Sequence, residues 1–141
     1  MTDVHNEETR SYNMSRINSG NTKPEIIVRQ FLYSRGLRYR LHVKELPGKP
    51  DIFLPKYKTV VEVHGCFWHG HQNCKYFVLP KTRTEWWKTK IERTKERDFQ
   101  NEVKLLSLKI RTIIVWECTL RGENKFGTLE KLYNEIIEEN N

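Results

Sequence analysis

A short stretch of the chain, residues 64–74, concentrates side chains that bind metals or transfer protons. It holds three of the five histidines and two of the three cysteines: His64, Cys66, His69, His71 and Cys74. Such groups are costly to bury side by side unless they bind a metal ion or take part in a reaction. The clustering predicts two interleaved sites, one that holds the chain together and one that performs hydrolysis.

Two carboxylates at or before the start of this stretch suggest what the hydrolytic site contains. Pro50-Asp51 is followed, after ten intervening residues, by Glu62-Val63-His64. This order resembles the PD-(D/E)XK nuclease pattern, with histidine where lysine is usual. On neighbouring strands, Asp51 and Glu62 could face one Mg²⁺ ion, which would polarise a phosphodiester and lower the pKa of a bound water. The spacing alone is loose, and a strand-end aspartate near a solvated glutamate is the alternative.

Periodicity predicts the elements that position these groups. Thr22 and Glu25 are typical of a capping box that starts a helix, with Gly36 at its end. Strands are expected over residues 37–43, 51–54 and 58–63, with His42 on the solvent face of the first. An irregular segment, 65–82, precedes a helix over 84–106, a strand over 110–116 buried on both faces, and a helix from residue 128. The long helix is expected to bury Trp87, Ile91, Phe99, Val103 and Leu106.

The whole-chain properties indicate one α/β domain, residues 21–141, preceded by a polar arm, residues 1–20. The 141 residues carry a formal net charge of +7, which suits a polyanionic partner such as nucleic acid or simply a basic protein. No apolar run approaches the roughly 20 residues of a membrane helix, and no secretory signal is expected, so the interpretation is a cytoplasmic protein without a membrane partner. Three cysteines without export favour metal ligands over disulfides.

The run His64-Gly65-Cys66-Phe67-Trp68-His69-Gly70-His71 is very similar to the core motif of the Vsr family, the very-short-patch repair endonucleases. The resemblance implies a restriction-endonuclease-like fold, a mixed sheet flanked by helices with a structural zinc site. It also implies an enzyme that nicks one strand of double-stranded DNA, at the phosphodiester next to the T of a T:G mismatch left by deaminated 5-methylcytosine. Further segments carry the likeness in order: residues 3–5, 9–11, 13–14, 46–51, 82–85, 96–98, 115–118 and 120–122.

The resemblance assigns catalytic roles to individual positions. It implies that Asp51 and the backbone carbonyl of Val63 bind a catalytic Mg²⁺ ion and that His69 is the general base on the attacking water. His64 and Glu25 would orient water and phosphate. Glu62 departs from the family, which often has an apolar residue there, so it either binds metal or only lies nearby.

The same resemblance implies a structural Zn²⁺ ion held by Cys66, His71, Cys74 and Cys118. It implies that Phe67, Trp68 and Met14 intercalate at the mismatch, where a wobble pair is easier to open than a Watson–Crick pair. Exposed basic residues are expected to contact phosphates without reading sequence: Arg10, Arg16, Lys49, Lys81, Arg83 and Lys88.

Two rival functions remain open at this stage. A nuclease of the same fold could act on another target, as a restriction-like or structure-specific enzyme, and a zinc-stapled module could bind DNA without cutting it. The implied setting of the repair enzyme is the bacterial nucleoid, with mismatch-repair proteins and a cytosine-5 methyltransferase system as possible associates. Nicking of a single strand fits a monomer.

Overall fold

The computed structural model describes residues 22–138. Three helices and four strands follow the predicted order. Helix α1 (Lys23–Ser34) precedes strands β1 (Arg40–Leu41), β2 (Ile52–Leu54) and β3 (Thr59–His64). Helix α2 (Thr84–Ser107), strand β4 (Arg111–Trp116) and helix α3 (Lys125–Glu138) complete the fold, with short 3-10 turns between some of these elements. No helix within residues 22–138 is long and apolar enough to cross a membrane.

Helix α1 begins and ends as its sequence predicts. The Thr22 hydroxyl accepts a hydrogen bond from the Glu25 amide at 3.4 Å, and Pro24 sits in the first turn, where its missing N–H costs nothing. Gly36 follows the last turn with a φ of +85°, a left-handed conformation that glycine adopts without strain.

The four strands form one mixed sheet in the order β1-β2-β3-β4. Strands β2 and β3 are an antiparallel hairpin in which Ile52 pairs with Val61, which brings the preceding Asp51 beside Glu62. Strands β3 and β4 are parallel, with His64 level with Trp116. The first strand is only two residues long, so the expected strand over 37–43 is largely irregular.

Alternation along β3 and β4 separates the hydrophobic core from the polar residues. Val61, Ile113 and Val115 face the main core, which α1 and α3 complete with Val28, Leu32, Leu129, Leu132 and Ile136. Val60, on the other face, packs with Leu105 of α2. Because side chains alternate along a strand, Glu62 and His64 share the α2 side of the sheet with Val60.

Two expectations about buried faces are wrong. Phe99, Val103 and Leu106 of α2 are 58%, 46% and 65% exposed, whereas Ile91 is buried as predicted and Leu105 is buried although it was not predicted. Strand β4 is not buried on both faces, because Ile114 is 38% exposed. In helix α2 and in strand β4 these exposed apolar side chains lie on the face that points away from the hydrophobic core.

Candidate functional site

Asp51 and Glu62 are held together by two backbone-to-carboxylate hydrogen bonds across the β2–β3 hairpin. The Asp51 amide donates to Glu62 Oε1 at 3.0 Å, and the Val63 amide donates to Asp51 Oδ2 at 3.0 Å. These bonds fix both carboxylates at the end of the hairpin where β2 starts. The antiparallel register of β2 and β3 therefore brings the two acids together, as expected for neighbouring strands, with the Val63 backbone beside Asp51.

The pKa values of both acids are raised, mainly because the carboxyl groups are buried. Burial raises the pKa of Asp51 to about 6, with a further increase from Glu25, while the Val63 amide and nearby histidines oppose the shift. Burial and the neighbouring Asp51 raise the pKa of Glu62 well above its usual value. Clustered oxygen donors with raised pKa values are a suitable environment for a hard divalent cation such as Mg²⁺.

A third carboxylate, Glu25, joins this group from helix α1. It is 2% exposed, and its oxygens lie 3.0 and 3.1 Å from Nε2 of His42 and 3.0 Å from Nη1 of Arg29. Donor atoms of Glu25, His42 and Asp51 all lie within 4.8 Å of one another. The prediction that His42 is a surface strand residue is wrong, because its φ of +47° breaks the strand and its ring contacts Glu25. A backbone held in this region often marks a functional constraint.

His64 and His69 form the second half of the site. Their rings stack with centroids 3.7 Å apart and planes at 6°. Nδ1 of His69 lies 2.6 Å from Oδ2 of Asp98 on helix α2. Burial, reinforced by His69, lowers the pKa of His64 to about 4, so His64 stays neutral at physiological pH. If both stacked rings were protonated, two positive charges would be in contact. Of the two rings, only His69 has a carboxylate at hydrogen-bond distance, Asp98, which would stabilise a positive charge on the ring.

The stacked rings do not converge on a common metal ion, although His64, His69 and Asp98 each offer a ligand atom within 4.8 Å of the others. Imidazole lone pairs lie in the ring plane. An ion bound in the plane of one ring would stand about one stacking distance out of the plane of the other. The stacked arrangement instead suits one neutral imidazole, that of His64, beside one imidazole that can accept a proton, that of His69.

Asp98 is a candidate functional residue that sequence reasoning missed as an active-site group. The buried residues of α2, Ile91 and Leu105, lie seven positions to either side of it. Since seven residues span almost two helical turns, Asp98 lies on the same buried stripe. A single acid on the apolar stripe of an otherwise amphipathic helix is a signal that could have found it.

The predicted zinc ligands come together as expected from the resemblance. One donor atom each from Cys66, His71, Cys74 and Cys118 lies within 4.8 Å of the other three, and Cys118 Sγ is 3.5 Å from His71 Nδ1. Tetrahedral zinc with Zn–S distances of about 2.3 Å requires ligand atoms about 3.8 Å apart. The set of three sulfurs and one imidazole therefore fits Zn²⁺ in chemistry and spacing.

The turn over residues 65–71 connects the two sites. The amides of His69, Gly70 and His71 donate to the carbonyls of Gly65, Phe67 and Cys66 at 2.9–3.2 Å. Gly70 has a φ of +61°, and a Cβ there would lie 2.8 Å from Cγ2 of Ile91 on α2. A single glycine thus separates the histidine paired with Asp98 from the histidine of the metal cluster.

Phe67 and Trp68 lie in a half-buried aromatic cluster. The Phe67 ring is 5.4 Å from Trp87 and 6.3 Å from Phe77, and the Trp68 ring is 5.8 Å from Trp87. Trp86 is 45% exposed and packs edge-on against Trp87. This packing supports both predicted wedge residues from behind while leaving part of each ring accessible.

The predicted phosphate-contacting residues are accessible where the structure describes them. Lys49, Lys81, Arg83 and Lys88 are exposed, and the Arg83 guanidinium lies 4.7 Å above the Trp86 ring. Met14, Arg10 and Arg16 lie outside the described residues, as does the whole predicted arm.

With this geometry established, comparison with known proteins defines the class. A family profile described as DNA mismatch endonuclease Vsr matches residues 2–75. The match covers the carboxylate pair and the histidines of the site. It places the chain among DNA endonucleases.

Relatives over nearly the full length make the assignment specific. The chain is 47% identical over 139 residues to Type II nicking enzyme V.NmeAIP of Neisseria meningitidis, covering 99% of this chain and 96% of the relative. It is 44% identical over 138 residues to Type II nicking enzyme V.XorIIP of Xanthomonas oryzae, covering 98% of each. It is 42% identical over 139 residues to DNA mismatch endonuclease Vsr of Escherichia coli, covering 99% and 85%. The chain belongs to the Vsr family of DNA mismatch endonucleases.

Proposed function

We propose that this protein nicks one strand of double-stranded DNA at a T:G mismatch, hydrolysing the phosphodiester next to the mismatched T. The observation that carries the hydrolytic part is the pairing of the Asp51–Val63 hydrogen bond with the His69–Asp98 contact. His69 is among the titratable neighbours of Asp51, although burial is the main influence and raises the pKa of Asp51 to about 6, and this proximity supports a shared site. Family membership supports the mismatched substrate.

The surroundings of each side chain indicate its role in the proposed reaction. Asp51 and the Val63 carbonyl would hold Mg²⁺, which supplies positive charge at the scissile phosphate when bound. His69 takes a proton from the attacking water, and Asp98 orients the ring and stabilises the imidazolium that results. His64, kept neutral by burial, and Glu25 position water and phosphate. Glu62 fixes the Asp51 backbone through its amide, whether or not it also touches the ion.

Recognition would use the aromatic cluster and the basic surface. Phe67 and Trp68, braced by Trp87 and Phe77, enter the stack at the mismatch, with Met14 as a second wedge. A Zn²⁺ ion on Cys66, His71, Cys74 and Cys118 would hold this turn to the end of β4. The basic side chains contact the phosphate backbone and set register rather than sequence.

The decisive experiment is a nicking assay on end-labelled duplexes that differ at one pair: T:G, T:A or C:G, each with Mg²⁺. We expect one nick, in the T-bearing strand of the T:G duplex. Asp51→Ala should remove nicking while retaining binding to the mismatch.

The rival functions predict different results in the same assay. Equal cutting of all three duplexes would indicate a nuclease of the same fold with another target. Mismatch binding without any nick would indicate a DNA-binding module and would overturn the catalytic assignment.

A further inference from the structure

Two buried polar atoms in the described part of the chain, residues 22–138, have no hydrogen-bond partner: Nδ1 of His64 and Oγ1 of Thr112. His64 is 4% exposed and ends β3, whereas Thr112 lies near the start of the neighbouring strand β4. Leaving such an atom unpaired is costly, so buried polar side chains generally have a protein or water partner.

Both residues line the same cavity, which lies between the sheet and helix α2. Its volume open to the centres of water molecules is about 30 Å³. One water needs roughly 10–15 Å³ by that measure, so the space suits about two to three. Other polar groups on its wall, from Glu62, Asp98 and Asn101, can provide the further partners that an ordered water requires. A polar wall with unpaired atoms distinguishes this cavity from an apolar void, which stays dry.

The strand register sets the distance that a bridge must cover. Thr112 pairs with Val60 and Trp116 pairs with His64, so the two residues are four positions apart along the parallel pair. At about 3.3 Å per residue this is roughly 13 Å between backbone positions. Side chains shorten the gap, but neither a direct hydrogen bond nor a single water can close it. Because each hydrogen bond spans about 2.8 Å, about three waters in series are needed for the remaining span, and three is the upper limit that the cavity volume allows.

We propose that this cavity is a hydration site, in which a short chain of ordered water gives His64 Nδ1 its partner and ends on the Thr112 hydroxyl. Thr112 is thereby a positioning residue for His64, acting from outside the active site. The water fixes the ring against rotation and determines which ring nitrogen carries the proton. This role in catalysis rests on the proposed function, whereas the hydration site itself does not.

The test uses Thr112→Val, which keeps the volume of the side chain but removes the hydroxyl. In the DNA-free protein, with ¹⁵N-labelled histidine, we expect the His64 ring-nitrogen resonances to move. With T:G duplex we expect the single-turnover nicking rate to fall about tenfold, the effect of one lost hydrogen bond, with DNA affinity unchanged. Thr112→Ser should restore both readings.

A matched control is Thr94→Val, which removes a threonine hydroxyl that bonds only within helix α2, to the Lys90 carbonyl at 3.1 Å. It should leave both readings as in the wild type. Unchanged His64 resonances in Thr112→Val, or a high-resolution crystal structure with a dry cavity, would overturn the proposal. Shifted resonances in a protein that nicks no duplex would leave the hydration site standing and refute the proposed function alone.

Discussion

At the scale of single residues, the proposed reaction depends on a difference between two stacked histidines. Burial keeps His64 neutral, with a pKa of about 4, while His69 is paired with a carboxylate at 2.6 Å. The two rings touch, yet only one of them has a partner that stabilises a positive charge. This asymmetry makes His69 the proton acceptor in the proposed reaction and leaves His64 as a neutral donor or acceptor of hydrogen bonds.

The contribution of Asp98 can be measured directly. Asp98→Asn keeps a hydrogen-bond acceptor near His69 but removes the charge that stabilises the imidazolium. We expect the single-turnover nicking rate to fall about 10²-fold, within the range of general acid–base effects, with the affinity for mismatched DNA unchanged. Glu92→Gln, an exposed substitution on the same helix, is the control. A rate within twofold of the wild type would show that Asp98 serves the fold and not the reaction.

At the scale of elements, helix α2 and the 65–71 turn depend on each other. Gly70 approaches Ile91 so closely that no other residue fits without displacement, and its φ of +61° is in the left-handed region. The contact holds the turn against the helix that carries Asp98. The separation of His69 and Asp98 is therefore set by packing at Ile91, almost two helical turns from Asp98.

Gly70→Ala should cost more stability than backbone strain alone. We expect the free energy of unfolding to fall by about 3 kcal/mol, from the left-handed φ together with the clash on Ile91. Gly36→Ala is the matched control, because Gly36 has a φ of +85° but nothing within 4 Å of the added Cβ. It should cost about 1 kcal/mol. Equal losses in urea titrations of the two variants would show that the contact with α2 contributes nothing.

The sequence predicts the elements better than the faces that they bury. The hairpin register follows from Pro50-Asp51 and the β-branched run after Thr59, so the pairing of Asp51 with Glu62 was predictable. Helix α2 has two competing apolar rows beyond Ile91, and local periodicity cannot tell which row meets the sheet. His42 was misassigned and Asp98 was missed for a similar reason, since their partners, Glu25 and His69, are far away in sequence.

At the scale of the whole molecule, a cluster of three cysteines and one histidine joins distant parts of the chain. Cys118 follows β4, whereas the other three ligands belong to the segment after β3. Binding of Zn²⁺ there would close a long loop and add its free energy to folding. The turn that presents Phe67, Trp68 and His69 would then depend on the ion for its position.

Cys118→Ser should therefore remove metal and stability together. We expect the zinc content of purified protein, measured by plasma mass spectrometry, to fall from about one ion per chain to a small fraction. The melting temperature should drop, and chelation of the wild type should reproduce the drop. Thr119→Ser, at the next position, should change neither. Full zinc content in Cys118→Ser would show that the four-ligand assignment is wrong.

The exposed lysines and arginines are proposed to contact phosphates along the duplex. Their contribution is measured by the salt dependence of the affinity for DNA. Replacing Lys81 and Lys88 with glutamine should reduce the slope of log affinity against log salt by about 1.8, because each phosphate contact releases about 0.9 counterion. The preference for T:G over T:A duplex should stay the same. Lys131→Gln on helix α3 serves as the control. A changed preference with an unchanged slope would mean that these lysines read bases.

The glycine between His69 and His71 has a practical consequence for anyone who searches for inhibitors. A reagent that alkylates or oxidises a cysteine of the proposed zinc cluster would displace a histidine two positions from the proton acceptor. Such compounds would score as active-site inhibitors although no sulfur atom contacts the substrate. A screen on this enzyme therefore needs a parallel measurement of released zinc, which distinguishes compounds that compete with DNA from compounds that react with the cysteines.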